Sequence, residues 1–446
     1  MEGDYRDQVK YRILKRKSNL GYIGLKRKMT TNQDSLPEAA TTIEPAEAAQ
    51  PLPSGLRAIP GSIWALGFVS MFADISSEMI HSLLPVFLVS VLGASTLAVG
   101  MIEGIAESTA LITKVFSGAL SDYLGRRKFL TALGYGLAAF TKPLFPLAPS
   151  VGWVVTARFI DRIGKGIRGA PRDALVGDIA PLHLRGACYG LRQSLDTVGA
   201  FAGPLMATIL MALTLDSFRT VFWIAVIPGF LSLALMIFVK EPETVRSADK
   251  PRSPIRGADL RQLEAAYWWL VLIAAVLTLA RFSEAFLVLR AQNIGLPVAL
   301  VPLVMVVMNV AYAVSAYPAG HLSDKMDRRL VLAAGFGILI GSDVVLALAT
   351  GVWQLMVGVV LWGLHMGLTQ GLLAALVTDT TPSPLRGTAF GVFNLASGIA
   401  MLIASFLAGW LWDQHGPQAT FFAGAGFTTV ALAGLLIRLP SDRATE

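Results

Sequence analysis

Long apolar segments recur along the chain and are separated by short polar stretches. Most contain about 20 residues or more, the length that an α-helix needs to cross a bilayer. The pattern predicts twelve membrane-spanning helices, with limits accurate to about two to four residues. The predicted segments are 62–92, 97–120, 129–148, 151–176, 187–213, 219–239, 266–292, 297–319, 329–349, 352–378, 389–412 and 418–438. The alternating segments of about 10 residues that form a membrane β-barrel are not seen.

The composition supports this interpretation. Of the 446 residues, 54% are hydrophobic and 15% are charged, whereas a soluble domain has about 25% charged residues. The mean hydropathy is +0.60. The single cysteine, Cys188, excludes an intrachain disulfide. The predicted class is therefore an all-α, multi-pass membrane protein.

The basic residues predict how the chain crosses the membrane. If both termini are cytoplasmic, the inner loops and the C-terminal tail carry sixteen Lys and Arg residues, and the outer loops carry only Arg219. Such a bias towards the inner side is typical of helical membrane proteins. We therefore predict a protein of the cell inner (plasma) membrane with cytoplasmic N- and C-termini. The net charge of +7 follows from this bias and needs no nucleic acid partner.

The sequence also contains a repeat. ALVGDIAPLHLRGACYG at 174–190 matches ALVTDTTPSPLRGTAFG at 375–391 in nine of seventeen positions. The repeat predicts two pseudo-symmetric six-helix halves, a plan in which transporters bind substrate between the halves. The predicted divisions are a disordered cytoplasmic tail at 1–58, an N-terminal half at 59–239, a cytoplasmic linker at 240–265, a C-terminal half at 266–438 and a cytoplasmic tail at 439–446.

Several motifs resemble those of the major facilitator superfamily (MFS). GALSDYLGRRK at 118–128 resembles the family signature Gly-x-x-x-Asp-x-x-Gly-Arg-Lys/Arg, and GHLSDKMDRRL at 320–330 is a weaker copy in which Asp327 replaces the glycine. ARFIDRIGKG resembles the fourth-helix motif, with Arg158 as its arginine. GAFAGP at 199–204 partly resembles a fifth-helix motif of exporters. The resemblance covers about 60–440 and implies the MFS fold and an exporter-like bacterial transporter.

The resemblance also implies gating residues. The family counterpart of Asp122 stabilises the outward-facing state by contacting the start of the eleventh helix, where a helix N-terminus attracts an anion. Gly118 is expected to let the second helix approach a neighbour closely. The basic residues of the motif could instead only mark the inner leaflet. The predicted gating residues are Gly118, Asp122, Gly125, Arg126, Arg127, Asp324 and Arg328.

The fourth predicted helix is unusually charged. RFIDRIGKGIRGAPRD contains five basic and two acidic residues, and helical geometry places all seven within an arc of about 140°. A charge at mid-membrane costs about 2.5–3.5 kcal/mol, so this face cannot contact lipid. It either forms an internal salt-bridge lattice, for example between Asp161 and Lys165, or lines a cationic substrate pathway. We predict that the pathway includes Arg158, Asp161, Arg162, Lys165, Arg168, Arg192, Asp196, Arg281 and Glu284.

Stacked acidic residues in the first two helices suggest proton coupling. Asp74 and Glu78 lie one helical turn apart, so each discourages ionisation of the other. We predict that they are the coupling pair, with Arg158 as the cation that modulates them. Glu103 and Glu107 in the second helix are the second choice.

The predicted function is secondary active transport by alternating access. We expect it to be proton-coupled and to export an anionic or amphipathic solute, such as a drug, metabolite or chelator. An uptake symporter, an uncoupled facilitator, a channel or receptor and a polytopic membrane enzyme are the alternatives. The sequence contains no Walker A loop, Gly-x-Ser-x-Gly motif or metal-ligand spacing, which disfavours an ATP-driven pump or an enzyme. We therefore predict no cofactor and no metal, and a monomer whose partners are a small-molecule substrate, protons and the lipid bilayer.

Overall fold

The computed structural model describes residues 58–181, 184–241, 260–382 and 385–438. The predicted tails and most of the predicted linker lie outside these residues. The described chain is helical and contains no strand. Its helices are α1 Gly61–Ser90, α2 Thr96–Leu124, α3 Arg127–Thr141, α4 Val151–Ile179, α5 Arg185–Leu213, α6 Phe218–Leu235, α7 Ala265–Asn293, α8 Leu303–Lys325, α9 Arg328–Leu348, α10 Val352–Asp379, α11 Arg386–His415 and α12 Pro417–Arg438.

Each of the twelve predicted segments corresponds to one of these helices, which confirms the predicted fold class. Ten of them are long and apolar enough to cross a membrane. The other two are α3, which has only 15 residues before a 3-10 turn at Lys142–Leu144, and α4. α4 is long enough but carries too many charges, and several of these charged side chains are buried inside the protein.

α1 and α7 are both broken near one end. α1 consists of Gly61–His81 and Leu84–Ser90, and α7 consists of Ala265–Ala280 and Ala285–Asn293. Pro85 lies in the first turn of the second piece of α1, where its missing N–H costs nothing. The two breaks lie about 200 residues apart, as the sequence repeat requires.

The repeat is also visible in the packing inside each half. Gly134 of α3 lies against Gly164 of α4, where an added Cβ on Gly164 would come 2.7 Å from the carbonyl oxygen of Gly134. The equivalent pair 201 residues later is Gly335 and His365. There the ring Nδ1 of the fully buried His365 lies 2.9 Å from the carbonyl oxygen of Gly335. A hydrogen bond therefore replaces a close backbone contact at this repeated position.

The halves contact each other through α2 with α11 and through α5 with α8. Two of the three cross-half hydrogen-bonded groups among the described residues lie at one end. The Asp413 carboxylate accepts from the backbone N–H groups of Thr96 and Leu97, and Gln292 Nε2 donates to Ser90 Oγ. We call this the closed end. At the other end, which we call the open end, no hydrogen bond or ion pair between two side chains that the structure describes joins the halves.

Candidate functional site

Two adjoining cavities lie between the halves. Cavity A has a volume of about 630 Å³ and contacts α1, α2, α4, α7, α10 and α11. Cavity B has about 450 Å³ and contacts α1, α2, α4, α5 and α8. They share Glu78, Glu107, Leu111, Lys114 and Lys165 in their walls. Volumes of this size are typical of sites for small organic molecules.

In the first half of α4, which begins at Val151, most charged side chains pair with acidic or basic residues of neighbouring elements. Arg158 Nη2 donates to Glu103 Oε2 at 2.8 Å, and both side chains are almost completely buried. Arg162 lies 3.3 Å from Glu107. Asp161 pairs with Lys142 of the 3-10 turn at 2.8 Å, and not with Lys165 as the sequence analysis suggested. These pairs neutralise charges that would otherwise be very costly to bury.

In the second half of α4, which ends at Ile179, charged side chains pair with residues of α5 and α1. Arg168 lies 4.0 Å from Asp74, and its guanidinium stacks over the Tyr135 ring at 4.4 Å. Four ion pairs then form a ring between α4 and α5: Arg172 with Asp173 at 3.3 Å, Asp173 with Arg192 at 3.8 Å, Arg192 with Asp196 at 2.6 Å, and Asp196 with Arg172 at 3.8 Å. Every α4 arginine of the charged arc thus has an acidic partner.

Two lysines differ from these arginines. Lys165 of α4 and Lys114 of α2 are exposed, and both lie in the walls of both cavities. Neither forms an ion pair within the part of the chain that the structure describes. The paired arginines therefore act as a lattice, while these lysines present positive charge to the cavity.

The opposite wall of cavity A, which the C-terminal half forms, combines aromatic and polar side chains. α7, α10 and α11 contribute the aromatic side chains of Phe282, Trp362 and Phe393. Arg281 and Glu284 also line this wall, and neither forms an ion pair with a described residue. The Nε of Arg281 is buried without a hydrogen-bond partner. Cavity A thus combines a charged wall from the N-terminal half with an aromatic wall from the C-terminal half.

The predicted substrate-pathway residues divide into two groups. Arg162, Lys165, Arg168, Asp196, Arg281 and Glu284 line the cavities. Arg158, Asp161 and Arg192 do not, because they lie behind the walls within the ion-pair lattice. The angular position on α4 could not separate these groups, since it gives no information on which neighbouring helix lies in front.

The predicted coupling residues also differ in whether they line a cavity. Asp74 lines cavity B, and Glu78 and Glu107 line both cavities, while Glu103 is fully buried. His81, which the sequence analysis did not assign, lies between Glu78 and Glu103. The only sequence signal for His81 is its position three residues after Glu78, on the same face of α1.

Ligand atoms of His81, Glu103 and Glu107 lie within 4.8 Å of one another, close enough to hold a metal ion. However, Arg158 already pairs with Glu103, and Arg162 pairs with Glu107. Two arginines at this position oppose binding of a second cation. The donor set therefore does not favour a metal site.

The predicted gating residues occupy the open end. Gly125 ends α2 in the left-handed conformation, with φ of 59°, which explains a glycine there. An added Cβ on Gly118 would lie 3.4 Å from Ala170 of α4, an ordinary contact, so no unusually close approach depends on it here. Arg126 is exposed before α3.

Two further gating arginines form ion pairs within their own half. Arg127 pairs with Asp178, and Arg328 pairs with Asp379. The side chains of Asp122 and Asp324 lie outside what the structure describes. Their predicted gating role stays a prediction.

A protein-family comparison identifies the chain. The family model for the Major Facilitator Superfamily matches residues 66–289 and 270–446. The chain belongs to the major facilitator superfamily. As an MFS protein, it is a membrane transporter rather than an enzyme.

Relatives and solved structures agree with this assignment. This MFS protein is 33% identical over 389 residues to an uncharacterised MFS-type transporter of Methanocaldococcus jannaschii, covering 85% of this chain and 95% of that protein. It is 24% identical over 337 residues to the cis,cis-muconate transport protein of Acinetobacter baylyi, covering 70% and 79%. A crystal structure of a POT family transporter in complex with a thioalcohol-conjugated peptide has the same fold, with a TM-score of 0.73, 13% identity and coverage of 86% and 96%.

Proposed function

We propose that this transporter carries an organic anion with an apolar body, by proton-coupled alternating access, and exports it. The observation that supports the anionic substrate is the pair of exposed lysines, Lys114 and Lys165, which line both cavities and form no ion pair with a described residue. A carboxylate placed between them would gain charge-assisted hydrogen bonds without breaking the arginine lattice. Its apolar body would then contact the aromatic wall of cavity A.

The comparison with relatives is consistent with this substrate class. The relative from Acinetobacter baylyi is named for cis,cis-muconate, a dicarboxylate. A small carboxylate fits the charge and size of cavity A. We therefore propose carboxylates as the class to test first.

Alternating access is supported by the difference between the two ends. The halves are joined by hydrogen bonds at the closed end and are not joined at the open end by the described residues. The positive-inside rule assigns the open end to the cytoplasm, so this state would receive solute from inside the cell. Export is proposed from the resemblance of 199–204 to an exporter motif, and uptake or uncoupled facilitation are the alternatives.

The test is transport by the purified protein in liposomes. Radiolabelled cis,cis-muconate, benzoate and octanoate are compared for counterflow and for accumulation driven by a pH gradient of either sign. We expect Lys165→Gln to reduce uptake of the transported carboxylate about tenfold, which corresponds to about 1.4 kcal/mol of lost binding, and Lys114→Gln to act similarly. Lys325→Gln is the matched control, because Lys325 is an exposed lysine outside both cavities.

Three results would contradict parts of the proposal. Unchanged transport in both cavity variants, or no transport of any carboxylate, would exclude the anion site. Accumulation that does not depend on the pH gradient would exclude proton coupling. Accumulation driven only in the direction of uptake would exclude export.

A further inference from the structure

The side chain of His81 bridges two carboxylates of different exposure. Its Nδ1 lies 3.5 Å from Glu78 Oε2, and its Nε2 lies 3.2 Å from Glu103 Oε2. The Glu78 side chain is 20% exposed and faces both cavities, whereas Glu103 is completely buried. Glu78 and His81 both line cavity A, so a proton from the cavity can reach the imidazole ring directly or through Glu78, whereas Glu103 lines neither cavity.

The two glutamates beside the ring differ in their other basic partners. Arg158 donates to the same Glu103 oxygen that faces His81, so Glu103 is already compensated. Glu78 forms no ion pair with a described lysine or arginine, and its closest basic group is His81. The titratable and charged groups that face His81 are Glu78 of α1, Glu103 and Glu107 of α2, Arg158 and Arg162 of α4, and Arg281 and Glu284 of α7.

His81 also lies beside the break in α1, where the conformation of the chain must differ between the two transport states. It is the last residue of the first piece of α1, directly before the break. The second piece of α1 contacts the second piece of α7 at the closed end, where Gln292 donates to Ser90. Opening of this end must separate those two pieces, and the break beside His81 is the position in α1 that allows one piece to move without the other.

We propose that His81 binds the coupling proton, with Glu78 as its exchange partner in the cavity and with Glu103 and Arg158 as positioning residues. In the observed state each ring nitrogen of His81 lies close to a glutamate carboxylate, an arrangement that can hold an imidazolium. When the closed end opens, movement at the break shifts the end of the first piece of α1 relative to α2, which changes the distance from His81 to Glu103, and the proton is released to the other side through Glu78. This inference rests on the proposed proton coupling, and it replaces Asp74 with His81 as the partner of Glu78.

The first experiment measures the proton on His81 without any solute. The chain has five histidines, so ring-labelled protein in lipid nanodiscs gives a small set of NMR signals. His81→Gln identifies the His81 signal by its loss. We expect that signal to titrate between pH 5 and 10, and Glu78→Gln to move its midpoint by more than half a pH unit. The exposed His321 is the internal reference and should not respond to Glu78→Gln.

The second experiment measures coupling. With the carboxylate that shows the fastest counterflow in liposomes, His81→Gln should lose at least nine-tenths of pH-driven accumulation and keep counterflow at equal pH within twofold. His321→Gln should behave like the unaltered protein in both assays. Retained counterflow shows that the variant is folded, so a loss of coupling cannot be explained by misfolding.

The outcomes separate this inference from the proposed function. A His81 signal that does not change over the whole pH range would overturn the inference, whether or not transport is proton-coupled. Full pH-driven accumulation by His81→Gln would also overturn it, even if the ring titrates. If the unaltered protein exchanges a carboxylate but ignores the pH gradient, proton coupling itself is wrong, and the role given to His81 fails with it.

Discussion

Arg127, the first residue of α3, forms an ion pair of 2.5 Å with Asp178 near the end of α4. Arg328 and Asp379 form the same pair 201 residues later, between the start of α9 and the end of α10. Each pair joins two helices of a single half at the open end. Such a pair can remain intact while the halves move relative to each other, so we expect it to stabilise each half as a body without breaking during transport.

This interpretation predicts the effect of Asp178→Asn. The pair is partly exposed, with about a quarter of each side chain accessible, so we expect a loss of only about 1 kcal/mol in stability. The balance between the two transport states should stay unchanged. The measurement is thermal stability together with labelling of a cysteine introduced into cavity B, in a Cys188→Ala background. Asp379→Asn is the matched variant in the other half, and a large change in labelling by either variant would contradict the interpretation.

A substitution of Asp413 is expected to change the balance between the two states, because the hydrogen bonds of Asp413 cross between the halves. Its carboxylate accepts from the N–H groups of Thr96 and Leu97 at the start of α2, with distances of 3.1 and 2.9 Å. Asp413→Asn removes the favourable charge at a helix N-terminus, which is worth about 0.3–1 kcal/mol. We expect the balance to shift up to about fivefold towards the state in which the closed end is open.

The shift is measured as faster labelling of a cysteine placed beside Ser90 at the closed end. Asp216→Asn is the control, because Asp216 is an exposed acid in the loop between α5 and α6, on the same side of the membrane by the predicted topology. Equal labelling in both variants would show that the Asp413 contact does not hold the closed end.

The close contact at Gly100 indicates that the closed end depends on tight packing of α2 against α11. An added Cβ on Gly100 would lie 2.2 Å from the carbonyl oxygen of Ser405, a backbone atom that cannot move alone. Gly100→Ala should therefore force the two helices apart, open the closed end and slow transport. Gly152→Ala is the control, since no atom lies within 4 Å of its added Cβ. That control should be neutral or stabilising, because alanine is favoured over glycine in a helix by about 1 kcal/mol.

The fold could be predicted from the sequence because membrane-spanning helices have a simple length and polarity pattern. Even α4, whose charges prevent a conventional membrane-span assignment, was included at 151–176 among the twelve segments predicted from the apolar pattern. Its charged residues form ion pairs or line a cavity, as their shared helical face predicted. These are local properties, and they do not depend on which helices become neighbours.

The site could be predicted only in part, because ion pairing depends on tertiary contacts. Asp161 pairs with Lys142, which lies 19 residues away in a 3-10 turn, although Lys165 is one helical turn from it in sequence. Arg158 lies behind the cavity, and Lys165 lies in its wall, although both belong to the same charged arc. The contact of Asp413 with α2 joins residues more than 300 positions apart and has no local sequence signal.

The buried pair of Arg158 and Glu103 gives the last prediction, which separates a structural role from a role in substrate binding. Both side chains are at most 3% exposed, and the Nε of Arg158 and the Oε1 of Glu103 have no hydrogen-bond partner. Arg158→Met leaves a buried carboxylate with only His81 beside it, a change that typically costs about 3–5 kcal/mol. We expect the purified variant to lose much of its thermal stability.

The double variant Arg158→Met with Glu103→Gln tests the reason for that loss. If the cost comes from the unpaired carboxylate, the double variant should recover most of the stability, since no buried charge is then left without its partner. Counterflow should also recover, because neither residue lines a cavity, while pH-driven accumulation should change because His81 has lost one of its two glutamates. A double variant that is stable but has no counterflow would instead show that Arg158 contacts the solute in another state of the transport cycle, and would restore it to the substrate pathway.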